Sequence, residues 1–220
     1  MDYVKIFREK NITLYGSDQL PQSLQVYETL PNVISFALPL PRAIVREIAE
    51  NGPTKTYFHH YRTCNAYIDH VSYTLVLAIK AEGYDAVYIP ASQSVSEDGY
   101  RGLFPHKAAA VLCGLGGIGM NDLLITPDYG ASVRLGTVMT DLPVARTGKT
   151  ENPCTGCAKC VSACPSGALF GKKWETGISV EEIIDVRLCS AHMKKAYKKI
   201  GRGAVCGICM AVCPVGRVPK

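Results

Sequence analysis

The residues in this chain best suited to chemistry are cysteines, and their spacing says which chemistry. Cys154-Thr-Gly-Cys157-Ala-Lys-Cys160-Val-Ser-Ala-Cys164-Pro165 reads C-x-x-C-x-x-C-x-x-x-C-P. Three thiolates at two-residue intervals on a tight loop converge on three irons of one cubane iron–sulfur cluster. The fourth, three residues further on and followed by proline, points away to a second cluster. The C-terminal stretch supplies that second cluster's ligands: Cys206-Gly-Ile-Cys209-Met-Ala-Val-Cys213-Pro214 repeats C-x-x-C-x-x-x-C-P without its leading cysteine. Cys189, seventeen positions before Cys206, is the replacement. Crossed ligation then assigns Cys154, Cys157, Cys160 and Cys213 to one [4Fe–4S] cluster, and Cys164, Cys189, Cys206 and Cys209 to the other. Zinc and disulfides are the alternatives. Zinc sites rarely use three cysteines at this spacing, and disulfides do not suit a cytoplasmic chain.

A cytoplasmic location is expected from the rest of the chain. Residues 1–10 alternate charged and apolar side chains and lack a signal-peptide core. No apolar run approaches the roughly 20 residues that cross a bilayer, so no membrane partner is expected. The 220 residues suffice for one α/β domain and a small cluster module, placed at 1–148 and 149–220, and a composition of 47% hydrophobic and 20% charged residues argues against disorder. Eight of the ten cysteines fall in the two runs or at Cys189. Cys64 and Cys113 read as small buried thiols in helices. Oxygen-labile clusters imply a reducing, anaerobic setting.

The net charge is +5, and from Arg187 to Lys220 there are eight Lys or Arg and no Asp or Glu. Lys194, Lys195, Lys198 and Lys199 form one face of a predicted helix. That face is either solvated or a dock for an acidic electron donor such as a ferredoxin or flavodoxin, a phosphate-bearing ligand or nucleic acid.

Several elements must position the cysteines. Helix, turn and a second short helix over 21–30 are expected in residues 1–31. Val33–Leu38 reads as a buried strand, and Arg42–Asn51 as a helix stopped by Gly52-Pro53. Thr54 caps a long helix reaching about Glu82, with Tyr61, Cys64, Ile68, Val71, Leu75 and Ile79 at helical spacing. Strands follow at Asp85–Pro90, Leu123–Thr126 and Ser132–Met139, with a functional loop at 91–105 and a short helix over His106–Cys113. Gly114-Leu-Gly116-Gly-Ile-Gly119 fits a dinucleotide fingerprint, but the helix such a site requires has no room before Pro127. The glycines still imply a close approach of the backbone to something bulky.

The stretch from His106 through Gly114-Leu-Gly116 and Asn121-Asp-Leu-Leu to Arg134-Leu-Gly and Thr140-Asp-Leu142, followed by the cysteine runs and Cys189, resembles the epoxyqueuosine reductases and, more distantly, the corrinoid-dependent reductive dehalogenases. That resemblance spans roughly Val33 to Arg217. It implies an α/β (α+β) fold: a nitroreductase-like domain of cobalamin-binding type followed by a ferredoxin-like double-cluster module. It also implies a cobalamin that takes electrons from the clusters and reduces a bound substrate. Gly114, Leu115, Gly116, Gly117, Gly119, Tyr129 and Arg134 fall where the family approaches the corrin. The family's tryptophan is Gly117 here and its following basic residue is Met120, so the pocket is expected to be altered or enlarged. Its acidic proton donor is replaced by Tyr100-Arg-Gly-Leu-Phe-Pro-His106, which makes Tyr100 the candidate donor and His106 its rival. The family's tRNA-gripping helical repeat is missing after the last cysteine, so a small molecule or a corrinoid protein is expected as partner rather than tRNA. The alternatives to a cobalamin enzyme are a non-catalytic electron carrier or activator of a partner corrinoid protein, and a flavin enzyme on the same domain.

Overall fold

The computed structural model describes residues 3–175, 177–201 and 205–216. Two compact units interleave along the chain. The first comprises Met1–Leu38, Thr63–Leu115 and Arg134–Thr150; the second comprises Pro39–Arg62, Gly116–Val133 and Glu151–Lys220.

Unit one is built on a four-stranded sheet of order β1-β2-β6-β3, where β1 is Leu14–Gln19, β2 Asn32–Pro39, β3 Ala86–Ile89 and β6 Val133–Thr140. The β1/β2 and β3/β6 pairs are antiparallel. β2 is the expected apolar strand, with Val33, Ile34 and Phe36 fully buried. The long helix α3, Lys55–Ala81, begins as expected at Thr54, whose hydroxyl accepts from Tyr57 N–H at 3.0 Å. Its stripe of Ile68, Val71, Leu75 and Ile79 is fully buried and joins Phe7 of α1 (Tyr3–Glu9), Ile34, Phe36 and Val138 in one core. Burying each such side chain contributes on the order of 2 kcal/mol.

β1 corrects the expectation of helix, turn and helix for residues 1–31. Leu14-Tyr-Gly-Ser-Asp-Gln is too polar to show a strand pattern. Hydrogen bonds hold it instead: Ser17 donates to Ala145 O at 2.6 Å and shares a 2.7 Å bond with the Tyr3 hydroxyl, while Ser17 N–H donates to Thr147 Oγ1 at 2.8 Å. Gly16 is required there, because a Cβ would lie 2.1 Å from Cys113 O. The expected helix over 21–30 is a single 3-10 turn, Gln22–Leu24. Cys113 closes α4 (His106–Leu112) from its C-cap and is fully buried, and burial pushes its thiol up to about 12.

In unit two, α2 (Arg42–Asn51) ends at Gly52, as Gly52-Pro53 foretold. β4 (Gly117–Ile118) and β5 (Leu124–Ile125) form a small hairpin; β4 was hidden because glycine carries no strand signature. No helix follows the glycine motif, in line with the rejection of a dinucleotide site. The described residues of this unit also include the helices α5 Lys159–Ser162, α6 Val186–Ala196, α7 Lys198–Gly201 and α8 Ile208–Ala211. The one helix expected to carry Lys194, Lys195, Lys198 and Lys199 is broken at Tyr197, the C-cap of α6. Lys194, Lys195, Lys198 and Lys199 are all exposed, whereas Arg202, Arg217 and Lys220 lie outside the described residues. None of the helices among the described residues is long and apolar enough to cross a membrane.

Candidate metal centre

The two cysteine runs fold as copies of one device. After Cys157 the chain enters the left-handed region at Ala158 (φ 56), and after Cys206 it does so at Gly207 (φ 78). A four-residue helix follows in each case, α5 carrying Cys160 and α8 carrying Cys209. Each run then reaches its cysteine–proline pair and turns at a left-handed glycine, Gly167 (φ 65) or Gly216 (φ 72). The positive-φ turn throws the cysteines of each C-x-x-C to one side of the loop, and the glycine lets the chain turn back after Cys164 or Cys213.

Four of the thiols share one recess. Cys154, Cys157, Cys160 and Cys213 line one recess, together with Met120 and Ile125. Burial raises the Cys160 thiol, and charge on Cys154 and Cys213 raises it further; burial raises Cys213, with Cys154 and Cys157 adding to the shift. Three of the remaining four are raised as well. Burial pushes Cys189 up to about 11, with Cys206 and Cys164 contributing, and pushes Cys209 up to about 12, with Cys206, Cys189 and Cys164 contributing. Cys209 also feels Cys160, so the quartets adjoin where α5 packs against α8. Among the described residues no group of three or more His, Cys, Asp or Glu is set to hold a metal ion as it stands.

Backbone N–H groups already point at the sulfurs. Lys159 N–H lowers the Cys157 thiol below its ordinary range. Burial raises Cys164, but hydrogen bonds from Ser166, Ala168 and Leu169 together outweigh it and leave it lowered. Such donors stabilise the thiolates that metal binding requires.

Two asparagines that sequence reasoning missed brace this centre. Asn152 donates to Ile118 O at 2.9 Å and accepts from Cys154 N–H at 3.1 Å, tying β4 to the first run. Asn121 donates to Cys209 O at 3.2 Å. Asn152 stands in a polar linker with no motif to mark it, while Asn121 falls at an Asn/His position of the family pattern.

The glycine motif has its close approach, but to the protein itself. A Cβ at Gly114 would lie 2.3 Å from Gly148 O, at Gly116 2.0 Å from Ile125 O, and at Gly117 2.3 Å from Asn152 Cγ. Gly119 is filled equally, 2.7 Å from Asn121 Oδ1. The pocket expected to be enlarged at Gly117 is thus occupied by Asn152, and Met120 faces the cysteine recess. Leu115 to Met120 are all buried under protein atoms, so this loop does not fit direct contact with a corrin. Of the other two candidates for that role, Tyr129 is half-buried in unit two, and Arg134 in unit one donates through Nε to Asn65 Oδ1 at 2.9 Å.

Tyr100 lies half-buried in the loop 91–105, its N–H on Asp98 Oδ1 at 3.2 Å. His106 is held at both ring nitrogens, Nδ1 2.8 Å from Thr137 Oγ1 and Nε2 3.1 Å from Pro90 O. Burial lowers its pKa from the ordinary 6.5, despite the Pro90 bond and Asp69, which raise it. A lowered folded value means that the unfolded chain takes up the proton first. The stabilisation is therefore complete above 6.5 and is lost as pH falls from there towards the folded value. His106→Asn should flatten the dependence of the unfolding midpoint on pH below that point; an unchanged slope would show that the ring does not couple to stability.

Comparison with known proteins agrees with these features. Residues 153–216 match the 4Fe-4S double cluster binding domain. Epoxyqueuosine reductase of Listeria monocytogenes is 33% identical over 113 residues, covering 50% of this chain and 29% of that protein. Tetrachloroethene reductive dehalogenase of Sulfurospirillum multivorans is 28% identical over 222 residues, 95% of this chain and 39% of the enzyme. Among solved structures, the catabolic reductive dehalogenase NpRdhA shares the fold with a TM-score of 0.77 at 17% identity, covering 97% of this chain and 31% of that one. Epoxyqueuosine reductase from Streptococcus thermophilus does so with a TM-score of 0.61 at 19% identity, covering 100% and 66%. The chain spans only about a third of the curated epoxyqueuosine reductases it matches. The chain is thus similar in sequence to epoxyqueuosine reductases and to a reductive dehalogenase, shares the mixed helix-and-sheet fold of their solved structures, and matches the 4Fe-4S double cluster binding domain over residues 153–216.

Proposed function

We propose that the chain is an iron–sulfur oxidoreductase that relays low-potential electrons one at a time through two [4Fe–4S] clusters. Cys154, Cys157, Cys160 and Cys213 hold the first cluster; Cys164, Cys189, Cys206 and Cys209 hold the second. The observation that supports this reading is that Cys213 lines one recess with Cys154, Cys157 and Cys160 of the other run, within the stretch that matches a 4Fe-4S double cluster binding domain. Adjoining quartets keep the electron's step between clusters short.

The donor is an acidic redox protein such as a ferredoxin or flavodoxin, received by the exposed lysines of α6 and α7, which start just beyond Cys189. Electrostatically guided electron transfer should slow as salt shortens the Debye length to about 8 Å and below. A Lys195→Glu/Lys198→Glu/Lys199→Glu variant should lose that salt dependence.

The acceptor lies off the glycine loop, since protein atoms cover Leu115 to Met120. A corrinoid carried by a partner protein meets that condition. A second reading, with cobalamin held by this chain, is favoured by the fold shared with a dehalogenase whose structure is described as suggesting B12-dependent dehalogenation. In that reading Tyr100 supplies the substrate's proton, because the ring nitrogens of His106 are already engaged. A solved epoxyqueuosine reductase carries an epoxyqueuosine-modified tRNA stem loop.

Anaerobic reconstitution, reduction and titration with cobalamin, followed by visible and EPR spectra, separates these readings. The relay reading expects reduced-cluster signals and no cobalamin uptake. Tight base-off cobalamin binding would overturn it in favour of the second reading. Missing cluster signals would sink both.

A further inference from the structure

One polar atom near the second quartet has no protein partner. His192 Nε2 is buried and makes no hydrogen bond. His192 sits on α6, three residues after Cys189, so the two side chains share one flank of the helix. Its ring meets Tyr197 edge-on, with centroids 5.5 Å apart and planes at 77°. Tyr197 is itself beside the quartet: burial raises its phenol, and the charge of Cys206 raises it further. His192 is thus flanked by Cys189 on its own helix and by a tyrosine that feels Cys206. A buried nitrogen there is costly without a partner, and the cluster site beside it is rich in acceptors.

We propose that His192 donates an Nε2–H hydrogen bond to a sulfur of the second cluster and raises that cluster's reduction potential. The inference rests on the proposed holding of a cluster by Cys164, Cys189, Cys206 and Cys209. Bridging sulfides and coordinated thiolates only accept hydrogen bonds, so Nε2 must carry the proton and Nδ1 the lone pair. When one electron enters the cluster, its sulfurs become more negative and the N–H···S bond strengthens. No bond breaks and no proton moves. The reduced state is therefore stabilised over the oxidised one, and the potential rises. His192 acts here as a positioning and tuning residue, setting which cluster holds the electron.

The test is a redox titration by EPR of reconstituted wild type, His192→Phe and His192→Gln, each with its iron content measured. Phenylalanine keeps a ring against Tyr197 but removes the donor; glutamine restores an N–H near the same place. The expected result is full iron content in all three, one of the two cluster potentials shifted negative in H192F, and recovery of most of that shift in H192Q. An unshifted pair of potentials in iron-replete H192F would overturn the proposal. Should H192F lose iron, pulsed EPR on wild-type protein grown with isotopically labelled histidine decides. A histidine nitrogen coupled to a reduced cluster is expected, and its absence would overturn the proposal. Failure of wild type to assemble a second cluster would instead count against the ligand assignment.

Discussion

A Cys154→Ala/Cys213→Ala double variant should keep about four of eight irons and a full [4Fe–4S] spectrum from the cluster that remains. The two cysteines are 59 positions apart and lie in different runs, yet they line the same recess. If each run instead kept its own cluster, Cys154 would serve one cube and Cys213 the other, and the double variant would lose nearly all its iron. Cys164→Ala/Cys213→Ala should lose both clusters in either arrangement and serves as the control. Iron analysis with low-temperature EPR reads the outcome. Retention of about half the iron in the first variant and almost none in the second requires crossed ligation.

A tryptophan at position 117, where the resembled epoxyqueuosine reductases carry one, is expected to damage this protein. In Gly117→Trp even the first side-chain atom would fall 2.3 Å from Asn152 Cγ, and the indole would need a space that Asn152 already fills. Displacing Asn152 breaks its bonds to Ile118 O and to Cys154 N–H, each contributing about 1 kcal/mol. Overpacking adds a further penalty of about 1–3 kcal/mol. The sum is a destabilisation on the order of 3–5 kcal/mol, concentrated where the first cysteine run begins. Anaerobic thermal unfolding should show a much lower midpoint for G117W and earlier release of iron. Adding Asn152→Gly should recover part of the packing loss. A G117W protein that unfolds like wild type would mean that the space above Gly117 is open after all.

These two cases mark how much of the molecule was legible in its sequence. Cysteine spacing is coordination chemistry written directly in the chain, so the double-cluster stretch could be read without coordinates. Helices α2 and α3 were legible because Gly52-Pro53 and Thr54 are strong local signals and the Ile68-Val71-Leu75-Ile79 stripe has one face. β1 was not, because hydrogen bonds from Ser17 rather than apolar alternation hold it. Nor was β4, since two of the motif's glycines are neighbours there for want of room. The glycine motif correctly announced a close approach, but sequence could not say that the approaching groups would be Gly148, Ile125 and Asn152. Long-range packing of that kind carries no periodicity. His106 illustrates the same limit: its type fits proton transfer, while its bonds to Thr137 and Pro90 are a fastening between α4 and the sheet.

The most direct measurement is iron and acid-labile sulfide per chain after oxygen-free reconstitution, paired with Mössbauer spectra. Two cubane clusters require about eight of each, in one [4Fe–4S] signature. A stoichiometry near one metal per four cysteines, as zinc-type sites would give, or sulfide well below iron, would contradict the account.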